Sequence, residues 1–173
     1  MPRIQKRIKR YFELPKKEKG DTELHMEKIR LNRVSYNPGY SDMLGERHSV
    51  SLSHDNGGNW TMVCRDCKVH GEPTTVITYS VSKESIEQFE EFINKNNVIE
   101  LSKRRDSDIF ATDYRPWRWG FDYDTTSFGE IKHEYCSFGE YLRYSGRDYE
   151  LLNELEKRFE SLRGDKISET TEN

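Results

Sequence analysis

Residues 74–97 have the sequence TTVITYSVSKESIEQFEEFINKNN, and the spacing of apolar residues changes once within it. Up to Val81, apolar and β-branched residues tend to alternate with polar ones, which is typical of a strand with one buried face. From Ser82, a good N-cap, apolar residues recur every three or four positions, which predicts an amphipathic helix. The predicted buried stripe of this helix consists of Ile86, Phe89, Phe92 and Ile93.

The residues before this change of spacing predict a β-hairpin and a further strand upstream. Residues 47–53 alternate between apolar and polar side chains, and the turn-forming segment 55–58 follows them. Trp60 and Met62 then share one face of the second hairpin strand. Residues 24–36 predict an earlier strand with a bulge, so this half of the chain forms a small sheet against which the helix packs.

The second half predicts another hairpin and a closing helix. Trp117, Trp119, Phe121 and Tyr123 alternate strictly, and residues 131–138 are the expected hairpin partner. Residues 98–101 predict the start of one more strand. The last helix is expected to begin near Asp148, with a buried stripe of Tyr149, Leu152, Leu155, Phe159 and Leu162. The sequence therefore predicts an α+β fold, with an antiparallel sheet of about five to seven strands, two main helices packed on it, and flexible N- and C-terminal ends.

The domain organisation follows from the distribution of charge. Residues 1–19 carry eight lysines and arginines and only two glutamates, so residues 1–23 are predicted to be a basic N-terminal extension. Such an arm orders against a partner or its own domain, or contacts RNA, DNA or an anionic membrane. Residues 24–164 are predicted to form a single α+β domain, and residues 165–173 a disordered tail.

Composition narrows the class of protein. The net charge is −3, which argues against a surface that binds nucleic acid throughout, and 12% aromatic residues predict an aromatic-rich core despite a mean hydropathy of −1.00. No apolar run is long enough for a membrane span, and the first residues lack the apolar block of a signal peptide. Three cysteines without an export signal predict reduced thiols and a cytoplasmic location.

The order of predicted strands, turns and helices over about residues 29 to 162 has a parallel in other proteins. A strand at 29–36 precedes a hairpin with an Asp/Asn/Gly turn and a tryptophan strand. Next comes a helix whose entry extends from Tyr79 to Ile86. It is followed by a strand at 119–123 and a leucine-rich helix. This order resembles that of a group of uncharacterised bacterial α+β domains of unknown function. The resemblance is one of pattern, implies an α+β fold, and assigns no catalytic residue.

The spacing of cysteine and histidine suggests a metal site. Cys64 and Cys67 form a C-x-x-C pair, and His133 and Cys136 an H-x-x-C pair, which together would supply a Cys₃His tetrahedron for zinc. Against this, residues three apart on a strand face opposite ways, and zinc C-x-x-C pairs usually sit on tight turns. Buried free thiols are the alternative, and a redox pair is a further one, although no helix follows to lower a thiol pKa.

Other combinations suit catalysis by residue type alone. Cys64 or Cys67 with a histidine and an aspartate would satisfy thiol catalysis. The pairs Asp122/Asp124 and Asp106/Asp108 would suit hydrolysis or a divalent cation. These residue types co-occur by chance, and no nucleophile turn is visible in the sequence.

The segment around residues 114–119 interleaves guanidinium groups with aromatic rings. If the tryptophan face is open, it forms a stacking platform for bases, sugars or a peptide; if it is core, it is a bulky sheet interior with Arg118 outside. The candidate ligand-binding residues are Arg115, Trp117, Trp119, Tyr135 and Tyr141.

The sequence thus predicts a non-catalytic cytosolic binding domain that engages a protein or peptide through the sheet or an aromatic surface, with no cofactor. The alternative is a zinc-stabilised nucleic-acid-binding module, with Cys64, Cys67, His133 and Cys136 as ligands and residues 1–19 gripping phosphates. An enzyme of unknown reaction is a third alternative.

Overall fold

A computed structural model of the chain describes residues 28–39, 47–68, 72–106, 116–127 and 129–172. Its elements, in chain order, are β1 (Ile29–Asn37), β2 (Arg47–His54), β3 (Trp60–Cys67), β4 (Thr74–Val81), α1 (Lys83–Asn96), a 3₁₀ helix (Val98–Lys103), β5 (Arg118–Ser127), β6 (Glu130–Gly139), α2 (Gly146–Glu160) and β7 (Lys166–Glu172). The α+β fold class, with two main helices and an antiparallel sheet, is confirmed. The predicted basic extension, residues 1–23, lies outside the described residues.

Seven strands form one antiparallel sheet in the order β6-β5-β1-β2-β3-β4-β7. The hairpin β2–β3 and its continuation into β4 match the sequence-based prediction. The strand β1 lies in the interior of the sheet because β5, from the second half of the chain, pairs along its other side. This long-range pairing joins the two halves into one sheet.

The helix α1 begins and ends where the change of spacing predicts. The Ser82 hydroxyl oxygen accepts a hydrogen bond from the Ser85 backbone N–H, and Asn97 ends the helix in the left-handed region with φ 50° and ψ 44°. The four stripe residues are buried. Asn97 redirects the chain into the 3₁₀ helix, so the predicted strand at 98–101 is wrong: Val98, Ile99 and Leu101 are all buried there, without alternation.

Side chains of α1 also complete the backbone hydrogen bonding of β1. Among the described residues, β2 pairs with β1 only from Arg33 to Tyr36. Beyond that point the Asn94 side chain accepts from the Ile29 N–H at 2.8 Å and donates to the Ile29 carbonyl at 3.1 Å. Glu90 Oε1 accepts from the Leu31 N–H at 2.8 Å. The helix therefore satisfies backbone groups that no strand reaches.

The helix α2 starts two residues before the predicted position, at a capping box. Ser145 Oγ accepts from the Asp148 N–H, and the Asp148 carboxylate accepts from the Ser145 N–H. Leu152, Leu155 and Phe159 are buried as expected. Tyr149 is 52% exposed, so its assignment to the buried stripe is wrong.

The core lies between the two helices and one face of the sheet, and it is rich in aromatic rings. Trp119 stacks on Tyr36 with ring centroids 4.1 Å apart, and Phe159 of α2 meets Trp119 edge-on at 5.1 Å. Phe89 of α1 lies 5.9 Å from Phe159. Because both helices pack on this one face, the opposite face of the sheet is left to carry surface residues.

The C-terminal segment differs from the prediction of a disordered tail. Residues 166–172 form β7, which pairs with β4 from Thr74 to Tyr79. All seven residues of β7 are exposed, so backbone hydrogen bonds at the sheet edge, rather than side-chain burial, define this strand. Within the described part of the chain, no helix is long and apolar enough to cross a membrane.

Candidate ligand-binding face

The sheet face opposite the helices has small side chains at its centre. Gly120 on β5 lies opposite Ser35 on β1, and Ser35 lies opposite Ser51 on β2. Ser51 in turn lies opposite Val63 on β3. Alternation along each strand puts these residues on the face away from the core. The centre of this face is therefore a shallow depression.

Larger side chains surround this shallow centre and enclose a cavity of about 280 Å³. We call it the open-face trough. Its floor comprises Ser35, Ser49, Ser51 and Gly120, and its rim comprises Arg33, Arg65, Arg118 and Tyr135.

The absence of a side chain at Gly120 allows two hydroxyl groups to approach the floor. A Cβ atom there would lie 2.7 Å from Ser35 Oγ and 3.0 Å from the Tyr135 hydroxyl. Tyr135 extends from the edge strand β6 across β5, and yet it is 63% exposed. Its ring therefore forms one wall of the trough and remains available for contact.

A second tyrosine orders the adjoining arginine through a serine. Arg118 Nη2 donates to Ser137 Oγ at 3.0 Å, and Ser137 Oγ lies 3.3 Å from the Tyr141 hydroxyl. The Tyr141 ring lies over Gly139, where a Cβ atom would come within 2.9 Å of Cε1. The resulting chain of contacts fixes Arg118 at the rim while leaving most of its donors unused.

The trough is electropositive. Among the residues that the structure describes, three guanidinium groups line it and no carboxylate does. Arg65 Nε lies 3.9 Å from Glu172 Oε2 in an exposed pair, which contributes little. Among the described residues, no hydrogen bond or ion pair involves the side chain of Arg33.

Two carboxylates beside the trough, those of Asp122 and Asp124, contact the imidazole of His133. His133 Nε2 lies 2.9 Å from Asp122 Oδ1, and Nδ1 lies 3.0 Å from Asp124 Oδ1. The Asp122 contact is ionic, since Oδ1 has no aligned hydrogen-bond donor among the described residues. The hydrogen bond to Asp124, followed by the charge of Asp122, raises the pKa of His133. Because both ring nitrogens face carboxylates, the arrangement favours the imidazolium form, which balances one of the two acid charges beside the trough.

The predicted ligand-binding residues fall into two groups. Tyr135 and Tyr141 lie on the open face, and Tyr141 is 38% exposed. Trp119 is 2% exposed in the core, so its ring offers no stacking surface, and the half-buried Trp117 stacks on Tyr144. Arg115 lies outside the described residues.

Sequence reasoning missed Arg33, Arg65 and the serines of the trough. The signal was present in the polar positions of β1, β2 and β3, which alternate with the core residues. The sequence did not show which strands become neighbours. Arg33 and Arg118 approach the same cavity only because β1 pairs with β5.

The four predicted zinc ligands do not converge. Three strands separate β3 from β6, so the two pairs lie about 19 Å apart at the usual strand spacing. Within each pair the two side chains also face opposite ways: Cys64 and Cys136 lie on the helix side, Cys67 and His133 on the other. Among the residues that the structure describes, no group of three or more His, Cys, Asp or Glu could hold a metal ion.

The thiols lack the environment of an activated nucleophile. Burial raises the pKa of Cys64, and it raises the pKa of Cys136 to about 11, so both stay protonated near neutral pH. Of the acidic pairs, Asp122 and Asp124 hold His133. Asp106 forms an isolated bridge with Leu142, and Asp108 lies outside the described residues.

A larger cleft of about 1010 Å³ lies between α1 and the start of β1. Lys28, Arg30, Lys83 and Lys95 line it together with Glu87, Glu90, Glu91 and Asp124. Its charges balance, and Glu90 and Asn94 already bind the backbone of β1. Two of its polar side chains therefore serve the pairing of β1 rather than facing a ligand.

Compared with protein-family models, with curated proteins and with solved structures, the chain gives no match in any of the three. The resemblance to bacterial α+β domains stays a prediction.

Proposed function

We propose that the protein is a non-catalytic binding domain that holds a protein or peptide partner in the open-face trough. The observation that supports this is the division of the sheet: both helices cover one face, and the other carries a concave site with arginine, tyrosine and serine around a glycine floor. Arginine and tyrosine are enriched where proteins bind each other, because they combine contact area with hydrogen-bond donors.

The shape of the site supports a peptide rather than an enclosed small molecule. The trough is open, and its lining extends from β5 through β1 and β2 to β3, about 14 Å at the usual strand spacing. Sites for small molecules bury most of their ligand, which a shallow trough does not do. The proposal includes a cytoplasmic location, which the three free thiols support.

The test is selection from a displayed random-peptide library on the full chain, followed by binding measurements on one variant that fills the trough. Ser51→Tyr places a bulky ring on the floor, at a strand position where tyrosine is well tolerated. Thr78→Tyr makes the same change on β4, on the same face but outside the trough.

We expect selected peptides to bind the wild-type chain and Thr78→Tyr alike and to lose at least about tenfold in affinity for Ser51→Tyr. Circular dichroism and thermal unfolding would show that both variants fold. Failure to select any peptide, or equal binding to both variants, would contradict the proposal.

A further inference from the structure

We infer that the occupant of the open-face trough is an acidic peptide segment in extended conformation, whose carboxylates pair with Arg65 and Arg118. This inference rests on the proposed function and names the chemistry of the partner.

Charge complementarity is the first argument. The described residues that line the trough include three cations and no anion, on a chain whose net charge is −3. Arg33 is unpaired among the described residues, Arg118 donates to a neutral hydroxyl, and Arg65 has only a loose, exposed ion pair. Guanidinium groups with unused donors bind carboxylates through paired, charge-assisted hydrogen bonds.

The spacing of the arginines favours several separate carboxylates over one central anion. Arg118 on β5 and Arg65 on β3 stand three strand spacings apart, about 14 Å between backbones. In an extended peptide, residues four apart are separated by about 13–14 Å. Two acidic side chains at that spacing match both arginines, whereas a single anion would require both side chains to bend across the floor.

The floor suits the backbone of such a segment. The small side chains of the floor keep it low, and the hydroxyls of Ser35 and Ser51 offer donors and acceptors for peptide groups. Tyr135 forms one side of the trough. The trough thus combines charged anchors with a neutral surface for the chain between them.

The inference is tested with synthetic Gly/Ser peptides that differ only at two positions four residues apart. These positions carry glutamate, glutamine, phosphoserine or lysine. Binding to the ¹⁵N-labelled full chain is followed by the amide signals of Gly120, Ser35 and Ser51. We expect the glutamate peptide to shift these signals and to bind more weakly as the ionic strength rises from about 0.01 M to about 0.15 M.

Two arginine variants check the contact. Arg118→Gln is expected to weaken binding of the glutamate peptide by about five- to tenfold, the effect of losing one exposed charge-assisted contact. Arg147→Gln removes an exposed arginine of α2, on the other side of the sheet, and is expected to leave the affinity unchanged.

The outcomes separate this inference from the function on which it rests. Equal binding of the glutamine and glutamate peptides at the trough would overturn the acidic partner and leave the binding domain standing. Binding of the phosphoserine peptide alone would also overturn the carboxylate partner. Loss of all trough-binding peptides, including those from the random library, would overturn the proposed function itself.

Discussion

At the scale of single residues, Asp148 joins two elements. Arg104, which follows the 3₁₀ helix, donates to both of its carboxylate oxygens, at 3.1 Å from Nε and 2.7 Å from Nη2. The N–H and the hydroxyl of Ser145 donate to the same carboxylate, each at 2.9 Å. The Arg104 hydrogen bond is the main reason why the pKa of Asp148 falls to about 2.

Replacing Asp148 by alanine is expected to lower the free energy of unfolding by about 2 kcal/mol near neutral pH, because a helix cap and a charge-assisted pair are lost together. Urea denaturation measures this difference. Glu150→Ala, an exposed change on the same helix, serves as the control, with an expected effect within about 0.5 kcal/mol. An equal effect of both changes would contradict a specific role for Asp148.

The sign of the pH dependence follows from the lowered pKa. The stabilisation by Asp148 is fully present above its ordinary pKa of 3.8 and is lost as the pH falls through the folded value of about 2. The difference between the wild-type chain and Asp148→Ala should therefore shrink on acidification through this range. A difference that stayed constant would show that the carboxylate charge is not responsible.

At the scale of elements, the helices were predictable and one strand was not. The helix α1 has a local cap, an apolar stripe at helical spacing and a local stop, all of which lie within the sequence of the helix itself. The strand β7 buries no side chain, and Ile167 is its one apolar residue. Its formation depends on the free edge of β4, a tertiary feature that its own sequence does not contain.

Ending the chain after Gly164 removes β7 and should leave the rest of the domain folded. We expect the free energy of unfolding to fall by only about 1 kcal/mol, since the lost hydrogen bonds are exposed and the entropy of ordering the segment is recovered. Hydrogen exchange should quicken at amides of β4 and stay slow in β2. Unchanged exchange in β4 would mean that β7 is not paired in solution.

At the scale of the whole molecule, the two faces of the sheet differ in what they contribute. Trp119 and Tyr135 were predicted together as ligand contacts, yet they lie on opposite faces of neighbouring strands. Trp119 contacts Tyr36, Phe121 and Phe159 in the core, whereas Tyr135 lies on the open face. One face therefore holds the fold together and the other is available for binding.

Trp119→Ala is expected to cost about 3–5 kcal/mol of unfolding free energy, the usual range for a buried tryptophan, and Tyr135→Ala less than about 1 kcal/mol. Chemical denaturation of the two variants measures the contrast. Similar costs would contradict the division of the sheet into a core face and a binding face.

Alternation in the sequence showed which residues share a face, but not which face the helices would cover. It also could not predict that β5 returns to pair with β1, because strand pairing over a long separation depends on the packing of the whole chain. The core aromatic cluster and the trough both depend on this pairing. The fold class was therefore predictable, while the proposed binding site was only partly so.

The bidentate contact between Asn94 and Ile29 bears on how the protein avoids aggregation. The Asn94 carboxamide supplies the donor and the acceptor that a neighbouring peptide group would supply. It therefore covers backbone groups of β1 with which a strand of another molecule could otherwise pair. A chain whose first helix has frayed would expose that template. We therefore expect a folded α1 to protect the domain from strand exchange between molecules.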